Sequence, residues 1–291
     1  MANVGFIGLG IMGGPIAKRL LDAGNTLVGF NRTRAKADTL IAAGMNWADT
    51  PRLVAQFAEI TFSMISDAHA LGAIARGQDG VLAGLAPGKI YVDMSTVSPT
   101  IIRELAPEVR SRGADMLDAP VSGGPPAIAA GTLSFMVGGS AETLKRVEPL
   151  FLQIGNKITH MGDNGTAALM KIAINLSLPI QLLAAYEGIL LAEKGGIPRE
   201  RALEAMLNSV AASFAMKYRA PFAFNPPAEV WFNVKMMQKD IQAALELGHA
   251  SGVPLLTAAL SGEMLSAAKA LGYAEADFAI LYDVLSRLVE K

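Results

Sequence analysis

The sequence predicts an α/β domain with a doubly wound, mainly parallel sheet, followed by an all-helical domain. Three observations carry this. Short, continuously apolar runs alternate with helix-period segments up to about His160, the pattern of strands covered on both faces by crossover helices. A glycine-rich turn separates the first strand from the first helix. From Asn164 onward nearly every segment has helical periodicity. The expected boundaries are 1–162 for the α/β domain and 163–291 for the helical one.

The elements follow in order. NVGFIGLG (3–10) reads as a strand, GGPIAKRLLDAG (13–24) as a helix closed by Gly24, and TLVGFN (26–31) as a strand, with a helix around Arg34–Ala43 next. EITFSMI (59–65) and KIYVDM (89–94) are further buried strands. SPTIIRELAPEVRSRG (98–113) is a helix with Ser98 as its cap and Pro99 in its first turn. ADMLDAP (114–120) and LSFMVGG (133–139) are two more strands, and His160 ends another. One long helix spans Asn164–Lys194 and stops at Gly195-Gly196, and Pro198 opens the next. Val234–Ser251, Thr257–Leu271 and Asp277–Glu290 complete the helical part. Pro179 removes one helical hydrogen bond and crowds the carbonyl of Asn175, so a bend is expected there.

The chain has 291 residues and a net charge of -1. Two cores are affordable at this length, and near-neutral charge argues against nucleic acid or an anionic membrane as the main partner. Hydrophobic residues reach 52% and charged ones 18%, which predicts a large buried subunit interface. There is no cysteine, which excludes disulfides, thiolate catalysis and zinc–cysteine sites; no metal is expected. A strand begins almost at the first residue, with no signal-peptide pattern, so a cytoplasmic location is expected. Leu169–Leu191 is apolar, but Lys171, Asn175, Gln181 and Glu187 interrupt it and argue against a membrane span.

Gly8-Leu9-Gly10-Ile11-Met12-Gly13 lies between a predicted strand and a predicted helix. In that context Gly8 permits the tight turn and Gly10 lets the backbone approach a pyrophosphate. Gly13 lets helix and strand pack closely, with the phosphates at the helix N-terminus. A dinucleotide is therefore the expected cofactor. NAD-type sites place a carboxylate at the end of the second strand, on the ribose 2′-hydroxyl. Here that position reads Phe30-Asn31-Arg32-Thr33-Arg34, with no carboxylate before Asp38. A guanidinium at Arg32, with hydrogen bonds from Asn31 and Thr33, suits a 2′-phosphate, so NADP(H) is expected over NAD(H). The alternative is a solvated basic turn.

NGTAALMKIAINLS (164–177) is almost entirely small or apolar, apart from Lys171 and Asn175, which share one helix face. Burying a lysine costs several kcal/mol unless its charge is met. Either this lysine snorkels or pairs elsewhere, or it serves chemistry.

Together these segments resemble the β-hydroxyacid dehydrogenase family. VGFIGLGIMGGPIAKRL, FNRT, YVDMSTVSP, DAPVSGG, GTLSFMVGG, the K-x-x-x-N of Lys171–Asn175 and QKD at 238–240 occur in the family's order, nearly end to end. The family includes 3-hydroxyisobutyrate dehydrogenase, tartronate semialdehyde reductase and glyoxylate/succinic semialdehyde reductase. The resemblance implies a Rossmann domain and a helical domain that forms a homodimer or homotetramer, joined through a long interdomain helix, with the active site in the cleft between them. It implies Lys171 as general acid or base. Ser122, Gly123, Gly124 and Asn175 would hold a substrate carboxylate, and Lys239 would lie near substrate and nicotinamide. Ser95 and Thr96 would belong to a loop near the cofactor, and Met64, Ile65 and Ser66 would pass over its ribose and phosphates. Phe232 falls where semialdehyde reductases carry a pocket aromatic, although large aromatics are also common in cores.

The chemistry agrees with these roles. Reducing an aldehyde builds negative charge on the carbonyl oxygen, which a nearby cation or proton donor stabilises. Lys239 is the candidate second cation that would lower the pKa of Lys171. Two glycines at 123 and 124 expose backbone N–H groups to a carboxylate. The expected activity is NADPH-preferring reduction of a small carboxylated aldehyde (tartronate, succinic or methylmalonate semialdehyde, or glyoxylate), or the reverse oxidation of a hydroxy acid. SGGPPAIAAGTLSFMVGG sits closer to tartronate semialdehyde reductase and the Phe232 region to the succinic semialdehyde enzymes, so the aldehyde stays open. An imine reductase and a non-catalytic nucleotide-binding module are the alternatives; both go with loss of the lysine, which is present here.

Overall fold

The computed structural model describes residues 1–289 and divides into two compact units, Met1–Lys171 and Ile172–Lys291. The division falls inside the helix Thr166–Asn175. The expected end of the last helix, at Glu290, lies outside the described residues.

The first unit is built on a sheet of β1 (Asn3–Ile7), β2 (Thr26–Phe30), β3 (Asn46–Trp47), β4 (Ile60–Ser63), β5 (Ile90–Asp93), β6 (Asp115–Asp118), β7 (Val121–Ser122), β8 (Leu133–Gly138) and β9 (Gly155–Gly162). The order is β3-β2-β1-β4-β5-β6-β8-β7, with β9 beside β8. From β3 to β6 every pairing is parallel, which is the doubly wound order 3-2-1-4-5-6. The sheet turns antiparallel at β8, which pairs with β6 and β7.

Successive side chains of a strand point to opposite faces. Accordingly Phe6 joins a core with Phe62, Phe135 and Phe151, while Ile7 joins a second core with Leu71, Tyr91 and Val109. Ile7, Ser63, Asp93 and Asp118 lie in register across β1, β4, β5 and β6. They mark the carboxyl edge of the parallel sheet, where open α/β folds bind ligands.

Several elements go beyond the sequence expectations. The helix expected around Arg34–Ala43 is a 3-10 turn, Arg34–Ala37, running into a short helix, Asp38–Ala42. Helices Pro51–Phe57, Ala68–Ala75, Pro125–Ala130 and Ala141–Ile154 were not foreseen, and neither were β3 and β7. Ser98 does cap Pro99–Arg110, accepting from the Thr100 N–H at 3.3 Å.

The second unit is helical: Ser177–Lys194, Arg199–Leu207, Phe214–Arg219, Val234–Ser251, Leu256–Ala270 and Leu281–Val289 surround Leu182, Tyr186, Ile241, Leu265 and Phe278. The long helix expected from Asn164 is interrupted at Leu176, between Thr166–Asn175 and Ser177–Lys194. Pro179 is the physical reason, since it offers no N–H to the carbonyl of Asn175. Val234–Ser251 ends as expected at Gly252, whose φ of 71° is left-handed.

Candidate functional site

The turn after β1 shows what each of its glycines is for. Gly8 has φ +95°, and a Cβ there would lie 2.3 Å from the carbonyl oxygen of Met64. A Cβ on Gly13 would lie 1.9 Å from the carbonyl oxygen of Gly8, so this residue must be glycine for the helix Gly13–Asp22 to close on the strand. Gly10 differs: a Cβ there would meet nothing within 4 Å, and the residue is exposed. Protein packing does not demand glycine at 10. Its open position beside the helix N-terminus leaves room for a phosphate to reach the first amides, which have no intrahelical acceptor. The residues present therefore fit the pyrophosphate of a dinucleotide.

The end of β2 is tied to this turn. Asn31 Oδ1 accepts the Leu9 N–H at 2.9 Å, and Asn31 Nδ2 donates to the Thr33 carbonyl at 2.8 Å. The Asn31 side chain thus braces the glycine turn. Arg32 and Thr33 are exposed, as are Ile11 and Ser66, whereas Leu9 is buried and Met12 partly so. Arg34 is drawn aside over the Trp47 ring, 5.3 Å from its centroid.

The loops after β4 and β5 are also joined. Ser95 Oγ accepts the Ile65 N–H at 3.0 Å and donates to Asp93 Oδ1 at 2.8 Å. Ser63 Oγ donates to the same Asp93 oxygen at 2.6 Å and shares a 2.8 Å hydrogen bond with the Tyr91 hydroxyl. Asp93 is fully buried, and its Oδ2 has no partner among the described residues. Burial pushes the carboxyl up to about 6; the two serine hydroxyls pull the other way, and the neighbouring Asp118 adds to the rise. Burial also raises Tyr91 well above its ordinary value. Met64, Ile65 and Thr96 are partly buried beside this network.

At the end of β6 a second carboxylate is held differently. Asp118 Oδ1 accepts the Gly165 N–H and Oδ2 the Ala168 N–H, both at 2.9 Å. These amides begin the helix Thr166–Asn175 that carries the partly buried Lys171. Burial raises Asp118 too, opposed by those two backbone donors. Beyond it, Ser122 pairs with Ser134 in β8, and Gly123 has φ +121° with a would-be Cβ 2.8 Å from Ala127 Cβ. Gly124 precedes Pro125 at the start of the next helix.

In the second unit, Asp240 is the hub. It accepts from Asn175 Nδ2 at 2.6 Å through Oδ2 and pairs with Lys239 Nζ at 2.9 Å through Oδ1. Neighbouring helical residues are expected to point apart, yet the long lysine chain folds back to its neighbour. Asn175 is 3% exposed, and its Oδ1 has no hydrogen-bond partner among the described residues. Phe232 packs edge-on against Phe278, with centroids 5.7 Å apart.

From the sequence alone Asp93, Asp118 and Asp240 receive no role at the site. A usable signal was present, since Asp93 and Asp118 each end a run of buried strand residues, where a lone carboxylate needs donors. No group of three or more His, Cys, Asp or Glu residues able to hold a metal occurs among the described residues.

Two family models cover most of the chain. Residues 3–162 match the NAD binding domain of 6-phosphogluconate dehydrogenase. Residues 165–285 match the NAD-binding domain of NADP-dependent 3-hydroxyisobutyrate dehydrogenase. The chain belongs to the β-hydroxyacid dehydrogenase family. It is similar to the NAD-dependent L-serine dehydrogenase of Pseudomonas aeruginosa, at 35% identity over 97% of each chain. It is also similar to the 2-hydroxy-3-oxopropionate reductase of Escherichia coli, at 33% identity over 97% of each. Among solved structures, 3-hydroxyisobutyrate dehydrogenase of Mycobacterium tuberculosis with L-serine superimposes at a TM-score of 0.87, with 29% identity over 98% of this chain and 99% of that one. As a member of this family the chain is an NAD(P)-dependent oxidoreductase with a Rossmann domain followed by a helical domain.

Proposed function

We propose that this β-hydroxyacid dehydrogenase reduces small carboxylated aldehydes with a preference for NADPH, or runs the reverse oxidation of the hydroxy acid. The observation that carries the reading is Asn175. It is buried, half satisfied by Asp240, and left with an unpartnered Oδ1 one helical turn from Lys171. Leaving such an atom unmet costs about 1–3 kcal/mol, so a small polar ligand that completes it is favoured. The named activities of the L-serine dehydrogenase and 2-hydroxy-3-oxopropionate reductase relatives support a substrate of this size and polarity.

In this reading Lys171 holds the proton that reaches the carbonyl oxygen on reduction and takes it back on oxidation. Ser122, Gly123 and Gly124 bind the carboxylate, with Asn175 orienting the substrate and Lys239, held by Asp240, adding positive charge. Phe232 limits substrate size. Gly8 to Gly13, Met64, Ile65, Ser66, Ser95 and Thr96 hold the dinucleotide, which when bound supplies or accepts hydride. The missing carboxylate after β2 and the exposed Arg32 support a 2′-phosphate. Residues 1–162 would then bind the cofactor, and 163–291 would serve substrate binding and assembly as a cytoplasmic homodimer or homotetramer, with neither nucleic acid nor membrane as a partner. Tartronate, succinic and methylmalonate semialdehydes and glyoxylate are the candidate substrates.

One kinetic experiment tests this. NADPH oxidation is followed with each of those four carbonyl compounds for wild type, Lys171→Ala and Arg32→Ala. Losing the proton donor should lower kcat by about 100-fold or more, with NADPH affinity kept. Near-wild-type turnover would remove Lys171 from the chemistry. Arg32→Ala should weaken NADPH far more than NADH, and equal losses would remove the 2′-phosphate argument.

A further inference from the structure

We infer that Asp118 is a positioning residue for Lys171, an assignment that rests on Lys171 being the proton-transfer group. Its carboxylate bridges the start of the Lys171 helix to the end of β6, through Gly165 N–H on one oxygen and Ala168 N–H on the other. Two bonds from one planar group fix both the distance and the rotation of the first helical turn, which one bond leaves free. A carboxylate also complements the positive end of the helix.

The attachment is crowded and reinforced. Asp118 is 1% exposed. A Cβ on Gly138 would lie 2.5 Å from its Oδ1, so the neighbouring strand leaves the carboxylate no second place. Asn164 Nδ2 donates to the Met116 carbonyl at 2.9 Å, and Gly139 N–H to the Gly162 carbonyl at 2.8 Å. The chain entering the helix is therefore clamped to β6 and β8 on both sides of the carboxylate. Lys171 follows Ala168 by three residues, so a shift of the first turn moves the lysine with it. Asp118 also lies just before Val121–Ser122. One side chain thus sets the spacing between the lysine helix and the root of the Ser122 loop. Misplacing a reacting group by about 1 Å costs on the order of 100-fold in rate.

The test is a double-mutant cycle on the full chain with NADPH and the best aldehyde of the panel. Asp118→Asn keeps one acceptor and turns an NH₂ toward the other amide. It should lower kcat at least tenfold and leave the NADPH KM within twofold. In the Lys171→Ala background the same change should alter the residual rate less than twofold, because the group it positions is gone. Equal fold-losses in both backgrounds, or a wild-type kcat for Asp118→Asn, would overturn the assignment. If Lys171→Ala itself turns over normally, it is the lysine reading that fails, which the cycle separates from the Asp118 claim. Should Asp118→Asn not fold, Asp118→Glu is read instead. It retains both oxygens but lengthens the arm, so it should lower kcat in the Lys171 background only, and wild-type kcat there would overturn the claim.

Discussion

Asp93 and Asp118 are register partners at the ends of β5 and β6, equally buried, yet solved differently. Asp118 spreads two backbone N–H donors over its two oxygens. Asp93 takes two serine hydroxyls on one oxygen and leaves the other without a partner. A carboxylate that anchors a helix start is worth keeping charged, because each N–H it accepts would otherwise be a buried orphan. At Asp93 the two hydroxyls favour the charged form, but both crowd onto one oxygen and leave the other unmet, so burial prevails. Burial pushes both carboxyls up, and the placement of donors, one on each oxygen or two on the same one, is what distinguishes them.

The largest expected effect that tests this contrast is on stability. Asp118→Ala leaves two buried N–H groups without an acceptor at about 1–3 kcal/mol each, so it should lower the unfolding free energy by about 3 kcal/mol. The urea midpoint at constant m-value measures it. A shift below about 0.5 kcal/mol, the size of an ordinary surface change, would erase the distinction from Asp93.

Next comes the pH dependence of Asp93. Its native carboxyl is pushed up to about 6, against 3.8 for an unperturbed one. Between those values the unfolded chain ionises while the native carboxyl stays protonated, so stability falls as pH rises from 4 to 6. The loss amounts to about 3 kcal/mol at 1.36 kcal/mol per pH unit of displacement. Below pH 4 both states hold the proton and the contribution is flat; above 6 the loss is complete. Asp118 and Tyr91 are the other titratable groups acting on it. Urea unfolding across pH 4–7 for wild type and Asp93→Asn isolates the slope, which should be shallower in the variant. Parallel curves would show that Asp93 is ionised throughout.

The contrast also explains what sequence reading reaches. Gly8 and Gly13 are legible because they are a local backbone device: spacing alone dictates the turn, and sterics demand glycine at both, while Gly10 stays open. Pro179 and Gly252 are legible for the same reason, since their effects on a helix are intrinsic to the residue. Asp118 joins Gly165 and Ala168 across 47 and 50 positions of chain, and Asp240 joins Asn175 across 65. No periodicity encodes such partners, and only the sheet order brings β6 beside the turn at Gly162–Gly165. Asn31 lies between these cases. Its position after β2 raises the expectation of a cofactor contact, while its bond to the Leu9 N–H follows only once β1 and β2 are paired.

The smallest expected effect tests whether the Asp93 side of the contrast reaches the loops proposed to hold the cofactor. Ser95 is the one hydroxyl that both donates to Asp93 and accepts from the Ile65 N–H. Ser95→Ala removes a donor from a carboxylate and an acceptor from an amide. The lost hydrogen bonds are worth about 1–2 kcal/mol together. With one hydroxyl fewer favouring its charged form, the Asp93 carboxyl should move further up, extending the pH-dependent fall in stability above pH 6. The loop at Met64–Ser66 loses its tie to β5, so NADPH KM should rise severalfold with kcat nearly unchanged. Ser63→Ala removes a donor from the same carboxylate oxygen without touching Ile65. It should reproduce the pH shift and leave KM alone. If the two serine variants raise KM equally, cofactor affinity depends on the Asp93 network as a whole and not on the Ile65 tie.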